Sequence, residues 1–253
     1  MKKLLLILTV IGLIICLLVG CNTTVPTEGE GEGEGEGEEE VSRIVMVEVF
    51  TQEGCANCAI VEPIIERLAD EYDRSEAIFV EERAYGTYSL DEIRDRYNWY
   101  LPNSADRGTP NILFNGFNTP HIHGSSSYYT IKSKIQTELS KDVKISISAT
   151  RNSDATTTTI SGTINNIGST ALDNLVISGM TFRNRGQVGL KYCVYNIFTE
   201  QQKTVASLEP GDSYNFSFTL EGFDWDANNF HGVIFVQDTD SSKKEILQAF
   251  YVD

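Results

Sequence analysis

Apolar and polar positions divide the chain into stretches with different periods. An apolar run from Ile44 to Phe50 reads as a buried strand. Ile60, Ile64, Ile65 and Leu68 then recur at helical spacing within residues 59–72. Pro63 falls inside that segment, where a missing backbone donor predicts a kink. Residues 77–81 predict a second strand, and Ser89 with Glu92 forms a capping box opening a helix through about Tyr97. Residues 111–114 predict a strand running into the hairpin dipeptide Asn115-Gly116. Gly108-Thr109-Pro110 precedes it, and a proline starting a strand suits a cis peptide. A further helix is expected over 126–139.

From about residue 141 the period becomes two. Short alternating runs carry Ile145, Ile160, Ile177, Val194, Phe216, Phe235 and Ile246, separated by turn clusters such as Pro210-Gly211-Asp212. Roughly seven strands without a helix-length segment predict a Greek-key, immunoglobulin-like β-sandwich. The expected organisation is therefore a leader over 1–20, a tether over 21–41, an α/β domain over 42–140 and an all-β domain over 141–253.

The leader has Lys2-Lys3, an apolar run from Leu4 to Leu18, and then Leu18-Val19-Gly20-Cys21. It resembles a bacterial lipoprotein signal; an uncleaved anchor is the alternative reading. The resemblance implies cleavage before Cys21 and lipidation of that cysteine, which places the body of the protein in the cell envelope outside the cytoplasm. Asn22 would permit sorting to an outer membrane in a cell that has one.

Charge changes the picture next. The formal net charge is −16, and eight of the 36 acidic residues fall in the Gly/Glu repeat from Glu28 to Glu40. With no apolar residues to bury and strong self-repulsion, this segment is expected to be an extended tether, with a reach on the order of 25 to 60 Å. The acidic balance argues against nucleic acid or anionic lipid as a surface partner.

Five cysteines are present, of which Cys16 lies in the leader and Cys21 is the expected lipid site. Cys55, Cys58 and Cys193 remain. Cys193 lies in a strand-like run and is expected to be a structural thiol. Cys55-Ala56-Asn57-Cys58 stands where the first strand gives way to the first helix. There the positive helix terminus favours a thiolate, and a second cysteine one turn on can close a small disulfide. The spacing also suits half a zinc site or a structural bridge.

With these neighbours, residues 42–140 resemble a thioredoxin-fold domain. Its carrying residues are Val45 to Phe50, Cys55, Cys58, Pro63 and Thr109-Pro110. The resemblance implies that Cys55 attacks, Cys58 resolves, and the cis-proline loop at Thr109 and Pro110 binds substrate. It also implies a buried carboxylate as proton acceptor. Glu48 is the nearest match, one residue farther from Cys55 than the family places it, and Ala-Asn replaces the usual Gly-Pro. Thr109 before the proline resembles reducing or isomerising relatives more than strong oxidants.

The order of lipidation site, thioredoxin fold and β-rich end resembles a family of thioredoxin-like outer-membrane lipoproteins. The leading expectation is a membrane-anchored thiol–disulfide oxidoreductase acting on protein thiols and disulfides, with an unidentified redox partner and no cofactor. Two alternatives remain open: a non-catalytic surface-binding lipoprotein and a copper or zinc carrier. His121 and His123, two apart on a strand, raise the metal question, and exposed loop histidines are the plainer reading. Trp99 and its aromatic neighbours could line a groove or fill the core, as could Phe223 and Trp225.

Overall fold

The computed structural model describes residues 41–253; the leader, Cys21 and the acidic tether lie outside the described residues. Strand β1 (Val45–Gln52) leads into α1 (Ala56–Glu71) and then β2 (Ala77–Tyr85), which lies parallel to β1. Next come α2 (Asp91–Tyr100), the antiparallel pair β3 (Asn111–Phe114) and β4 (Thr119–His123), and α3 (Tyr128–Leu139). Eight strands follow: β5 (Ile145–Ser153), β6 (Thr157–Asn166), β7 (Leu172–Arg183), β8 (Cys193–Ile197), β9 (Lys203–Leu208), β10 (Ser213–Glu221), β11 (His231–Asp238) and β12 (Ile246–Val252).

The fold is thus mostly β-sheet with few helices. A mixed sheet runs in the order β12-β11-β7-β8-β2-β1-β3-β4, with β9 also paired to β7. An antiparallel sheet of order β10-β6-β5 completes the architecture. The boundary expected at residue 141 falls between α3 and β5, yet the large sheet continues across it. Strand β8 pairs parallel to β2 at Glu81 and Cys193, and the Glu81 N–H donates to the Tyr192 carbonyl at 2.9 Å.

Side-chain alternation sorts the two faces of this sheet. Phe50 stacks on Tyr97 of α2 with ring centroids 4.6 Å apart, so Glu48 and Phe50 face α2. Arg83 reaches Glu62 of α1 on the opposite face. Helix α3 shares the α1 face, where Lys132 pairs with Glu71 at 2.9 Å. Val47, Val49, Ile65, Phe79 and Ile112 contribute to the first core, and all are fully buried.

The small sheet covers one face of the outer strands. Ile160, Ile164, Phe216 and Phe218 from it meet Ile177, Val205, Ile234 and Val236 in a second core. Phe223 and Trp225 belong to this cluster and are buried, which fixes them as packing residues.

Three local expectations change. Ser89 does not cap α2: its hydroxyl donates to the Ala84 carbonyl at 2.9 Å, and Leu90 occupies the cap without a side-chain bond. Helix α3 begins after Ser127, whose hydroxyl accepts the Thr130 N–H at 3.2 Å. Strand β9 has no counterpart among the expected runs, because Lys203–Leu208 presents too few apolar alternations; pairing with β7 decides it.

Candidate functional site

Cys55 is the N-cap of α1. Its backbone is extended (φ −80°, ψ 112°), and its Sγ accepts the Cys58 N–H at 3.1 Å. A sulfur thereby takes the place usually filled by a capping oxygen, satisfying one of the free donors of the helix terminus. Cys55 and Cys58 are joined in a disulfide. They differ in access: Cys55 is half-buried, whereas Cys58 is 1% exposed. An incoming sulfur can therefore reach the first and not the second.

The Thr109–Pro110 peptide is cis, and the Thr109 carbonyl oxygen lies 3.4 Å from Cys55 Sγ. That loop is braced from beneath. The side-chain amide of buried Asn111 donates to the Gly108 carbonyl at 2.6 Å, the Tyr97 hydroxyl at 2.6 Å and the Asp106 carbonyl at 3.2 Å. Tyr97 donates in turn to the Gly108 carbonyl at 3.1 Å. Burial pushes the Tyr97 phenol up to about 12, so it remains a protonated donor at neutral pH.

Glu48 is fully buried and committed elsewhere. Its carboxylate accepts from Arg96 Nε at 2.5 Å and from the Tyr100 hydroxyl at 2.8 Å, on the α2 face of the sheet. Burial, followed by the neighbouring Glu48 charge, pushes the adjacent Glu82 well above the usual carboxylate range. The structure therefore brings Cys55, Cys58, Thr109 and Pro110 together and sets Glu48 in an ion-pair network across the sheet from α1.

On the α1 face a second set of acids appears. Cys58 and Glu62 share the buried stripe of α1, one turn apart, and Arg83 lies 3.4 Å from Glu62. Glu81, alternating with Arg83 on β2, accepts the Tyr192 N–H at 2.8 Å. Burial raises Glu81 to about 8 against the opposing pull of that N–H, and burial also raises Glu62. The available signal was a run of three charges, Glu81-Glu82-Arg83, continuing an otherwise apolar strand.

His123 packs against Gly108, where a side chain would collide with its ring, so this histidine supports the cis-proline loop. His121 meets the Phe117 ring edge at 5.2 Å, and burial, with His123 nearby, lowers its pKa. Among the described residues, no group of three or more His, Cys, Asp or Glu is arranged to hold a metal ion. Trp99 and Arg96 do line a cleft of about 400 Å³ on the α2 face, with Phe235 and Ser178, whereas Tyr97 and Tyr100 are core residues. Cys193 is a buried free thiol whose pKa burial raises. No helix among the described residues is long and apolar enough to cross a membrane.

No family model matches the chain, and no curated protein matches it. Among solved structures, HBP35 of Porphyromonas gingivalis superposes with a TM-score of 0.65 at 16% identity, over 85% of this chain and 76% of that one. A domain of the outer membrane lipoprotein Omp28 from the same organism gives a TM-score of 0.32 at 15% identity, over 45% of this chain and 89% of that one. β-Glucosidase 3B from Thermotoga neapolitana gives 0.28 at 14% identity, over 43% and 15% respectively. The last two scores are too low to carry an argument. The likeness to HBP35 is one of fold alone, and it extends across both halves of the described chain.

Proposed function

We propose that this chain is a lipid-anchored, extracytoplasmic thiol–disulfide oxidoreductase of the reductase or isomerase type, built from a thioredoxin-like domain and an immunoglobulin-like sandwich. The observation that carries the reading is the asymmetric pair at the start of α1: an accessible Cys55, a buried Cys58, and the Thr109 carbonyl 3.4 Å from the accessible sulfur. Structural bridges have no need of that asymmetry. The anchor is assigned to Cys21 from its sequence context.

In the reduced protein, the Cys55 thiolate attacks a polypeptide disulfide, forming a mixed disulfide and expelling one substrate thiolate. Cys58 then surrenders its proton and attacks Cys55 Sγ, releasing the second substrate thiolate and regenerating the internal disulfide. An external dithiol supplies the two electrons for the next cycle. Thr109 and Pro110 hold the substrate main chain. For the proton of Cys58 there are two acceptors to separate: Glu48, expected from the sequence, and the Glu62–Glu81 pair, which shares the Cys58 side of the sheet.

The test is a thiol titration of the chain from residue 42 carrying Cys193→Ser, against glutathione or dithiothreitol. A potential between roughly −120 and −270 mV is expected for a working dithiol. A value below about −300 mV with unreactive thiols would favour the alternative of a non-catalytic binding lipoprotein. Cys58→Ser is expected to accumulate mixed disulfides that Cys55→Ser does not form, seen as thiol-reversible adducts on non-reducing gels. A shift in the pH profile of mixed-disulfide release with Glu81→Gln and none with Glu48→Gln would assign the proton to the α1 face.

A further inference from the structure

We propose that the β7–β8 loop, residues 184–192, walls the thiol site, and that Arg185 on it selects a polypeptide with a carboxylate side chain and an apolar one beside its cysteine. The inference deepens the oxidoreductase reading and rests on it.

Sheet order sets up the wall. Cys55 stands beyond the end of β1; β3, carrying Thr109-Pro110 at its start, lies on one side, and β2 followed by β8 lies on the other. Strand β8 runs parallel to β2 from Cys193 beside Glu81, so the β7–β8 loop leaves the sheet below the level of Cys55 and folds back along the β2 side of α1, away from the cis-proline loop. Two attachments fix it there. At one end the Arg185 guanidinium lies 4.7 Å above the Tyr88 ring. The neighbouring Thr87 donates its N–H and hydroxyl to Glu53, two residues before Cys55, at 2.9 and 2.8 Å.

At the other end the Gly189 N–H donates to Glu66 at 2.8 Å, and the Gly189 α-carbon sits against the Glu62 carboxylate, one turn beyond Cys58. Gly189 has φ +76° and no room for a side chain, so only glycine permits this contact. The loop is closed on itself by Arg185 N–H to the Leu190 carbonyl at 2.9 Å and Leu190 N–H to the Gln187 carbonyl at 3.1 Å.

The wall presents a specific chemistry. Val188 is 60% exposed and Tyr88 39%, giving an apolar rim. Arg185 lies between Tyr88 and Tyr195, 5.1 Å from the second ring, and its Nε is buried without an acceptor. Among the described residues it has no carboxylate at ion-pair distance. Two aromatic faces orient a guanidinium without neutralising it, and its fork geometry suits a carboxylate.

The full chain, reduced with dithiothreitol and freed of it, would be mixed in single turnover with two peptide disulfides of equal length. One carries Asp and Leu beside its cysteine, the other Lys and Leu. The readout is the ratio of the two rates, which cancels any general change in thiol reactivity. At low salt the Asp peptide is expected to react about fivefold faster, and the ratio to shrink in roughly 0.5 M salt. Arg185→Gln is expected to bring the ratio to one, while Arg185→Lys retains part of it. Equal rates with the unaltered chain, or a preference surviving Arg185→Gln, overturns the assignment. Failure of the unaltered chain to reduce hydroxyethyl disulfide, which is too small to need the wall, overturns the redox reading instead.

Discussion

Glu81 illustrates how one residue links the site to stability. It is fully buried, accepts a single backbone N–H, and burial holds it at about 8. Below the ordinary carboxylate range it is neutral in both folded and unfolded chains and contributes no pH dependence. Between that range and about 8 the unfolded chain releases its proton while the folded chain keeps it, so stability falls as pH rises. Above the folded value the loss is complete. The buried Glu82 acts with the same sign. Urea midpoints are therefore expected to decline from pH 5 to 8, and Glu81→Gln, which keeps an acceptor for Tyr192, to flatten part of that slope. An unchanged slope in the variant would show that the acid is ionised in the folded protein.

Helix α2 and strand β3 act at the next scale by holding the cis-proline loop through Tyr97 and Asn111. Removing the amide with Asn111→Ala strands buried acceptors at Asp106, Gly108 and Tyr97, and a cost of about 2 kcal/mol is expected from the lost bonds. Tyr97→Phe removes a smaller share and is expected to slow mixed-disulfide formation more than it lowers the unfolding midpoint. Rate and midpoint measured on the same variants separate these effects.

The elements differ in how far the sequence revealed them. Strand β1, helix α1, the cysteine pair and Thr109-Pro110 were legible because each has a local signature: an apolar run, a helical period, a spacing, a proline. Strand β9 was not, since Lys203–Leu208 acquires its conformation from pairing with β7. The braces around the loop were equally hidden. Asn111 and Tyr97 are separated by 14 positions in the chain and meet at 2.6 Å only after the sheet has formed. Glu48 stood one residue off the family's spacing, and because side chains alternate along β1 that single residue turns it to the opposite face, toward Arg96.

The whole described chain is organised around the seam between β2 and β8. Residues 42–140 alone would leave Glu81 without the Tyr192 N–H and expose the β2 edge. That fragment is accordingly expected to unfold at lower urea than the full chain or to fail to fold, and the two halves of the full chain to melt together. Near-ultraviolet circular dichroism and alkylation of Cys193 during unfolding would report the halves separately. Two resolved transitions would show that the seam is too weak to couple them.

The burial of Cys193 in that same seam has a consequence for how the protein is made. The chain emerges from its amino end, so Cys55 and Cys58 meet long before β8 exists. A contact between near neighbours closes quickly, whereas one with Cys193 needs a long loop to close. The order of synthesis thus favours the Cys55–Cys58 pair at birth, and the docking of β8 then hides the third thiol from later exchange.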